Sequence, residues 1–199
     1  MRLYYIMGKS ASGKDTIYKR LLEQFDDKLH PLVIHTTRPP REGEKNGVEY
    51  YFDTVEDYFQ FKDNDSILEE RFYDVSVVGG STRWYYYTVK DHQFELFENL
   101  LGIGTLESYM SIRNVFGSSI VPIFIDVSDT ADRLCRAIAR ERKQAKPNYA
   151  ELCRRFISDE EDFSVKNMNL AGIDKIFYNY NIEDCVQEIK RYIICKMYE

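Results

Sequence analysis

The chain has 199 residues, of which 44% are hydrophobic and 30% charged, a balance typical of globular proteins that excludes disordered and fibrous classes. Its net charge of −6 argues against a general surface for nucleic acids or anionic membranes. No apolar run reaches the length of a transmembrane helix. The four cysteines form no C-x-x-C pair and indicate reduced thiols. We therefore expect one cytoplasmic domain that binds no nucleic acid, no membrane and no obligate protein partner.

A phosphate-binding loop is predicted directly after the first strand. The apolar run within 2–7 predicts a buried strand, and Gly8-Lys9-Ser10-Ala11-Ser12-Gly13-Lys14 fits the pattern G-x-x-x-x-G-K. Glycines let backbone amides close around phosphate oxygens, and Lys14 adds a mobile ammonium group. The spacing of apolar residues then predicts a helix over 14–25, whose dipole also favours an anion. The competing interpretation is an ordinary Gly/Ser turn between strand and helix.

The residue after the lysine departs from the usual pattern. A Ser or Thr there normally reaches Mg²⁺, whereas this chain has Asp15 followed by Thr16. A carboxylate is a good ligand for a hard metal ion, but it repels phosphate unless a cation lies between them. Three alternatives stay open: Asp15 binds or positions Mg²⁺, Thr16 takes over this role, or nucleotide affinity is reduced. The predicted residues of the ATP site are Gly8, Ser10, Ser12, Gly13, Lys14, Asp15 and Thr16.

The next part of the chain predicts a strand over 32–36, a charged loop over 38–46, and a different kind of structure over 47–90. In that last stretch, short apolar and aromatic segments such as 49–52, 67–69 and 84–87 favour a small mixed or antiparallel lobe. Thr54 is predicted to begin a short helix that buries Tyr58 and Phe61. Gly79-Gly80-Ser81 is predicted as a turn.

Strands and helices alternate again in the second half. The predicted strands are 103–106 (weak), 120–127 and 175–178; the predicted helices are 89–101, 130–143, 149–163 and 182–196. Such alternation favours an α/β fold with a parallel sheet flanked by helices. We expect a core formed by 1–34, 89–130 and 164–199, an inserted lobe over 35–88, and a helical lid over 131–163.

A second phosphate site is predicted in the loop after residue 36. Arg38 and Arg41 lie three residues apart on a segment stiffened by Pro39 and Pro40. Two arginines on such a loop can converge on one phosphate, because each guanidinium binds two oxygens and little conformational freedom is lost. Tyr50 can add a hydroxyl group. The alternative is a solvated charged loop.

This segment and the phosphate loop together resemble the guanylate kinase family. The similarity is carried by 36–52, TTRPPREGEKNGVEYYF, and extends firmly over 1–90 and loosely over the rest. It implies an enzyme that uses ATP and Mg²⁺ to phosphorylate GMP. The residues that the resemblance assigns to the acceptor nucleotide are Arg38, Arg41, Glu44, Tyr50, Glu69, Tyr86 and Thr88.

The base specificity also has a physical basis. Guanine presents N1–H and N2–H side by side, and one carboxylate can accept both. A buried Glu69 would therefore favour guanine over a purine that lacks these donors. From the residues alone, a glutamate followed by Glu70 and Arg71 is more often on the surface.

Basic residues for catalysis are predicted in the lid. Phosphoryl transfer needs cations around three equatorial oxygens, and arginines on a mobile helical segment can close over both nucleotides and exclude water. By resemblance to the family, Arg136, Arg140 and Arg155 supply these charges together with Lys14. The alternative is a solvated basic helix whose arginines pair with Glu141 and Glu151.

Other positions depart from the family pattern. The family has an Asp-x-Asp segment at the end of its third parallel strand, where this chain offers Thr105-Leu106-Glu107, and Glu107 is the predicted substitute for the second carboxylate. Ile34 replaces a serine near the acceptor, and Tyr87 replaces a glycine. Two alternatives to the guanylate kinase reaction therefore stay open: a ribose 1,5-bisphosphate phosphokinase-like enzyme, which shares Gly-Lys-Asp in its loop, and a guanylate-kinase-like binding module with little catalysis.

Overall fold

The computed structural model describes residues 1–77 and 80–199, in which two β-sheets and the helices around them are formed. Gly79, in the predicted turn Gly79-Gly80-Ser81, lies outside the described residues. The strands are β1 (Arg2–Gly8), β2 (His30–Pro31), β3 (His35–Thr36), β4 (Tyr51–Phe52), β5 (Ile67–Val77), β6 (Gly80–Val89), β7 (Asn99–Ile103), β8 (Ile120–Asp126) and β9 (Ile176–Tyr178). The helices are α1 (Lys14–Phe25), α2 (Val55–Asp63), α3 (Gln93–Leu96), α4 (Leu106–Phe116), α5 (Thr130–Glu141), α6 (Tyr149–Asp162), α7 (Val165–Leu170) and α8 (Ile182–Met197).

The larger sheet has five strands in the order β2-β7-β1-β8-β9, and all neighbouring pairs are parallel. Successive side chains of the central strand β1 point to opposite faces, and both faces are covered. Tyr4 and Ile6 pack with residues of α1 and α8, whereas Leu3, Tyr5 and Met7 pack with residues of α4 and α7. The predicted α/β fold with a parallel sheet flanked by helices is confirmed.

The smaller sheet has four strands in the order β4-β3-β6-β5. Its strands β5 and β6 form a long antiparallel pair in which Glu69 lies opposite Thr88 and Arg71 opposite Tyr86. The neighbouring residues Tyr85 and Tyr87 point to the other face, where both rings contact Tyr58 of α2. One face of this sheet is therefore packed against a helix, which leaves the face with Glu69 and Arg71 for other contacts.

The helix predicted over 89–101 is wrong. The chain there contains the end of β6, the single turn α3 and the beginning of β7. Leu100 and Leu101 are both fully buried, because β7 lies between β1 and β2 and is covered on both faces. Such a strand has a continuous apolar run without alternation, which cannot be distinguished from a short buried helix by its pattern.

Two further predicted elements need correction. The weak strand over 103–106 is wrong, because β7 ends at Ile103 and Thr105 begins α4 as its N-cap. The single strand over 32–36 is also wrong: β2 belongs to the larger sheet and β3 to the smaller one, with 32–34 between them. The chain changes sheets at this point.

The remaining helices follow their capping signals. Thr54 forms a capping box with Asp57 at the start of α2, and Asn181 accepts hydrogen bonds from two amides at the start of α8. Helix α5 ends at Glu141, two residues before its predicted end, and α6 (Tyr149–Asp162) lies within one residue of the predicted bounds; the sequence analysis does not predict α4 and α7. Within the described residues, none of the helices combines the length and apolar character needed to cross a membrane. The boundaries of core, lobe and lid stay predictions.

Candidate active site

The loop between β1 and α1 has the backbone geometry of an anion cradle. Gly13 is the N-cap of α1 and has a φ of 89°, in the left-handed region that favours glycine. A Cβ at this position would overlap the side-chain amide of Asn179, which donates a hydrogen bond of 2.8 Å to the carbonyl oxygen of Ser12. Asn179 therefore fixes the loop through this hydrogen bond. The first backbone amides of α1 can bind an anion, because they have no partner within the helix.

A cleft of about 790 Å³ opens beside this loop. Gly8, Ser10, Lys14 and Asp15 line it, while Thr16 is exposed in the first turn of α1 and Ser12 is fully buried beneath the loop. The structure thus brings four of the seven predicted ATP-site residues into one cavity. Gly13 and Ser12 support the loop rather than line the cleft.

Helix α6 contacts the phosphate loop through two acidic side chains. The backbone amide of Ser10 donates a hydrogen bond of 2.7 Å to Oδ2 of Asp159. Lys9 Nζ lies 2.9 Å from Oε2 of Glu160 and 3.9 Å from Oδ2 of Asp126 at the end of β8. Hydrogen-bond donors of the phosphate loop are therefore bound by carboxylates of the protein itself.

Arg133 of α5 is buried and contacts both the phosphate loop and the acidic residues of α6. Its side chain is 1% exposed, and its guanidinium lies 3.8 Å from the centre of the Phe156 ring. It donates to the carbonyl oxygen of Ser10 at 3.3 Å, lies 3.5 Å from Asp159 and forms an ion pair with Glu160. Arg133 therefore ties α5, α6 and the loop together. Arg133 is not among the residues predicted from the sequence, although it lies three residues from the predicted Arg136 on one helix face.

The end of β7 forms another wall of the cleft. Gly104 and Glu107 line it, and Thr105 caps α4 by accepting from the amide of Ser108 at 3.1 Å. A side chain at Gly104 would overlap the hydroxyl group of Tyr5, which fills this space. Residues 102–105 at this strand end include no carboxylate. The nearest one along the chain is that of the exposed Glu107 in the first turn of α4.

Glu69 lies on the face of the smaller sheet that borders the cleft. It is 7% exposed, so the expectation from its charged neighbours, a surface position, does not hold. Its Oε1 accepts from the Thr88 hydroxyl at 2.8 Å and its Oε2 accepts from the Ser108 hydroxyl at 2.9 Å. Arg71, two residues further along β5, lines the cleft that contains Lys14. Neither Ser108 nor Arg71 is among the site residues predicted from the sequence.

Arg38 is buried beside the other predicted acceptor residues. Its two terminal nitrogens donate to the two carboxylate oxygens of Glu44 at 2.9 and 3.0 Å. The guanidinium also lies 5.3 Å from the centre of the Tyr50 ring, which in turn contacts the ring of Tyr86. Its Nε is buried without a hydrogen-bond partner among the described residues. Arg38, Glu44, Tyr50 and Tyr86 thus form one cluster.

Arg41 does not converge on this cluster in the expected way. Its side chain is exposed, and its backbone amide donates to Glu44 Oε2 at 2.7 Å. The hydrogen bonds from Arg38 and from the Arg41 amide hold the pKa of Glu44 below its ordinary value. Glu44 therefore accepts hydrogen bonds from the Arg38 guanidinium and from the Arg41 backbone amide, while the Arg41 side chain stays exposed.

The three predicted lid arginines lie in different surroundings. Arg136 donates to the carbonyl oxygen of Asn179 at 3.2 Å and is therefore next to the phosphate loop. Arg140 is exposed in the last turn of α5. Arg155 is exposed on α6, where its Nε lies 3.4 Å from Glu151, so this arrangement does not gather the three arginines.

Asp15 is a suitable ligand for a metal ion in the cleft. No group of three or more His, Cys, Asp and Glu side chains is placed to hold a metal within 1–77 and 80–199. Mg²⁺ in nucleotide sites needs only one or two carboxylates, since phosphate oxygens and water complete its shell. Asp15 lines the same cleft as Lys14 and supplies a hard oxygen donor, so the residues fit this ion.

Comparison with known proteins identifies relatives of this chain. The family model for guanylate kinase matches residues 1–195. The guanylate kinase of Campylobacter jejuni strain RM1221 is 43% identical over 77 residues, which are 36% of this chain and 38% of that protein. The chain thus spans well under half the length of the first relatives that it matches. The guanylate kinase of Bacillus subtilis strain 168 is 26% identical over an alignment that covers 98% of this chain and 88% of that protein.

One solved structure supports the fold. The crystal structure of a guanylate kinase from Anaplasma phagocytophilum aligns with a TM-score of 0.65 and 17% sequence identity. The alignment covers 100% of this chain and 87% of that chain. At this identity the similarity concerns the fold alone.

Proposed function

The chain belongs to the guanylate kinase family, and we propose that it transfers the γ-phosphoryl group of ATP to GMP, producing ADP and GDP. The observation that carries this proposal is the cleft shared by the phosphate loop and the smaller sheet. Lys14 of α1 and Arg71 of β5 both line it, and Glu69 lies two residues before Arg71. A donor and an acceptor nucleotide would therefore meet in a single cavity.

In the proposed reaction, the amides of the phosphate loop and Lys14 hold the donor phosphates. Arg38, Arg41, Tyr50 and Tyr86 hold the acceptor phosphate, and Thr88 and Glu69 bind its base. The protein makes no covalent intermediate, because phosphoryl transfer depends on alignment and on charge around the transferred group. Glu107 is proposed to line the acceptor side of the cleft.

The charges for the transition state are proposed to come from α5 and α6. Arg136 already lies beside the phosphate loop, whereas Arg140 and Arg155 are exposed. Closure of these helices over both nucleotides would bring the arginines together and exclude water, which prevents hydrolysis of ATP. We expect ATP to bind as its Mg²⁺ complex with Asp15 as protein ligand and Thr16 as the alternative one. Mg²⁺ neutralises charge on the phosphates when it is bound.

A coupled assay of ADP release tests the proposal. The purified chain is incubated with ATP, Mg²⁺ and, separately, GMP, dGMP, AMP, CMP, UMP and ribose 1,5-bisphosphate. We expect turnover with the guanine nucleotides and little with the others. Lys14→Ala should abolish turnover, whereas Lys19→Ala, on the exposed side of α1, should retain it. Absence of turnover with both guanine nucleotides would contradict the proposal.

The cytoplasmic location and the lack of a protein or nucleic-acid partner stay predictions from the sequence. They do not enter the proposed reaction.

A further inference from the structure

Ser108 makes a contact between the larger sheet's helix α4 and the smaller sheet. It is 3% exposed, near the start of α4, and its hydroxyl group donates to Oε2 of Glu69 across 39 positions of sequence. Thr88 donates to the other oxygen of the same carboxylate from the neighbouring strand β6. The Glu69 carboxylate is therefore held by β6 of the smaller sheet and by α4, which packs against the larger sheet.

The neighbours of Ser108 determine where its hydroxyl proton points. Thr105 Oγ1 accepts from the Ser108 amide at 3.1 Å and lies 3.0 Å from the Ser108 hydroxyl oxygen. Since the single hydroxyl proton of Ser108 goes to Glu69, the Thr105 hydroxyl is the donor in this second contact. A directed chain from Thr105 through Ser108 to Glu69 results, and such chains strengthen each member bond.

The lone-pair sites that Thr88 and Ser108 leave open on Glu69 match the number of adjacent N–H donors on guanine. An ionised carboxylate has about four lone-pair sites, and Thr88 and Ser108 use one on each oxygen. Contacts with the described residues leave one site on each oxygen. Two adjacent N–H donors, such as N1–H and N2–H of guanine, need this arrangement, whereas hypoxanthine has only one of them.

On this basis, and resting on the proposed function, we infer that Ser108 is a positioning residue for guanine recognition. It fixes the Glu69 carboxylate from α4 so that its two remaining acceptor sites face the base. Because α4 follows β7, which pairs with β1 beside the phosphate loop, the contact also sets the base site relative to the donor site.

Steady-state kinetics with GMP and IMP test this inference. Ser108→Ala should raise KM for GMP about ten-fold, leave KM for ATP unchanged and change kcat less than about two-fold. The preference for GMP over IMP should fall by a similar factor. Ser108→Thr keeps the hydroxyl group and should recover most of the loss. Ser118→Ala, an exposed serine beyond the far end of α4, is the matched control.

A double-mutant cycle separates positioning from a structural role. If Ser108 acts through Glu69, Ser108→Ala should add no further loss to Glu69→Ala. Ser108→Cys, which keeps the size and weakens the donor, replaces Ser108→Ala if that variant does not fold. An unchanged KM for GMP, or an equal loss in the Glu69→Ala background, would overturn the inference while the kinase activity stands. A wild-type chain that neither binds nor phosphorylates GMP would overturn the proposed function together with it.

Discussion

Asp159 Oδ2 accepts a hydrogen bond of 2.7 Å from the backbone amide of Ser10, so a carboxylate of α6 occupies a donor of the phosphate loop. The acceptor side shows the same relationship, since Glu44 binds both terminal nitrogens of Arg38. Each of the two predicted anion sites therefore holds a carboxylate of the chain itself. If ATP and GMP bind at these sites as proposed, we expect them to compete with these carboxylates.

The first prediction concerns Asp159. Asp159→Asn should lower the Kd of ATP about ten-fold, because a negative charge next to the bound phosphates is lost and the Ser10 amide is released more easily. Isothermal titration calorimetry with Mg²⁺-ATP measures this change. Glu161→Gln removes one negative charge from an exposed position of the same helix and should leave Kd unchanged. Weaker ATP binding by Asp159→Asn would show that the carboxylate assists the nucleotide instead.

A second prediction concerns the shape of the Arg38 side chain. Arg38→Lys keeps the charge but cannot bind two oxygens at once, so KM for GMP should rise at least about ten-fold. KM for ATP should be unaffected. Arg83→Lys provides the control, because Arg83 binds Asp74 in the same two-point manner at an exposed position of β6. Equal KM values for GMP in both variants would contradict a role of Arg38 in phosphate binding.

Arg133 should contribute to stability rather than to binding alone. Arg133→Met keeps much of the contact with Phe156 but leaves Asp159 and Glu160 without their buried partner. We expect a loss of about 2 kcal/mol in the free energy of unfolding, less than for a fully buried pair because Glu160 is half exposed. Urea denaturation measures this value. Arg154→Met, which breaks an exposed pair with Glu151, should cost less than about 0.5 kcal/mol.

A buried histidine in the smaller sheet makes stability depend on pH. His35 Nδ1 lies 2.6 Å from Asp53 and Nε2 lies 3.3 Å from Asp91, while Tyr87 donates to Asp53 at 2.5 Å. Burial by itself lowers the pKa of His35, but the hydrogen bonds to the two carboxylates outweigh it and raise the pKa above the ordinary 6.5. Burial opposes ionisation of Asp91 as well, yet its bond to His35 contributes to a pKa below the ordinary 3.8.

These shifts predict a stability maximum in mild acid. The protonated form of His35 is favoured by folding, so its contribution is complete below pH 6.5 and is lost as the pH rises through the raised pKa. Asp91 contributes above pH 3.8 and loses its contribution as the pH falls further. Thermal unfolding between pH 5 and 9 should show a loss of about 1 kcal/mol, or about 3 °C in Tm, that His35→Gln removes. His92→Gln, at an exposed position near Asp91, should keep the dependence.

Local patterns were sufficient for the phosphate loop. The strand β1, the glycine positions and the helix α1 were predicted within one residue, because an apolar run, a fixed motif and helical spacing all lie within 25 residues. The capped helices α2 and α8 were predicted for the same reason. By contrast, the pattern over 89–101 predicts a helix where β7 lies, because the burial of β7 on both faces depends on β1 and β2, which are distant in sequence.

Local motifs are sufficient to predict the family, the phosphate loop and the set of charged residues from which the site is made. Which of these charges meet depends on the tertiary structure. It buried Glu69 against Ser108, paired Arg38 with Glu44, placed Asp159 on the loop and left Arg140 and Arg155 exposed. Motifs record residues that are close along the chain, whereas the energy of a charge depends on partners and burial that only the packing of distant segments supplies.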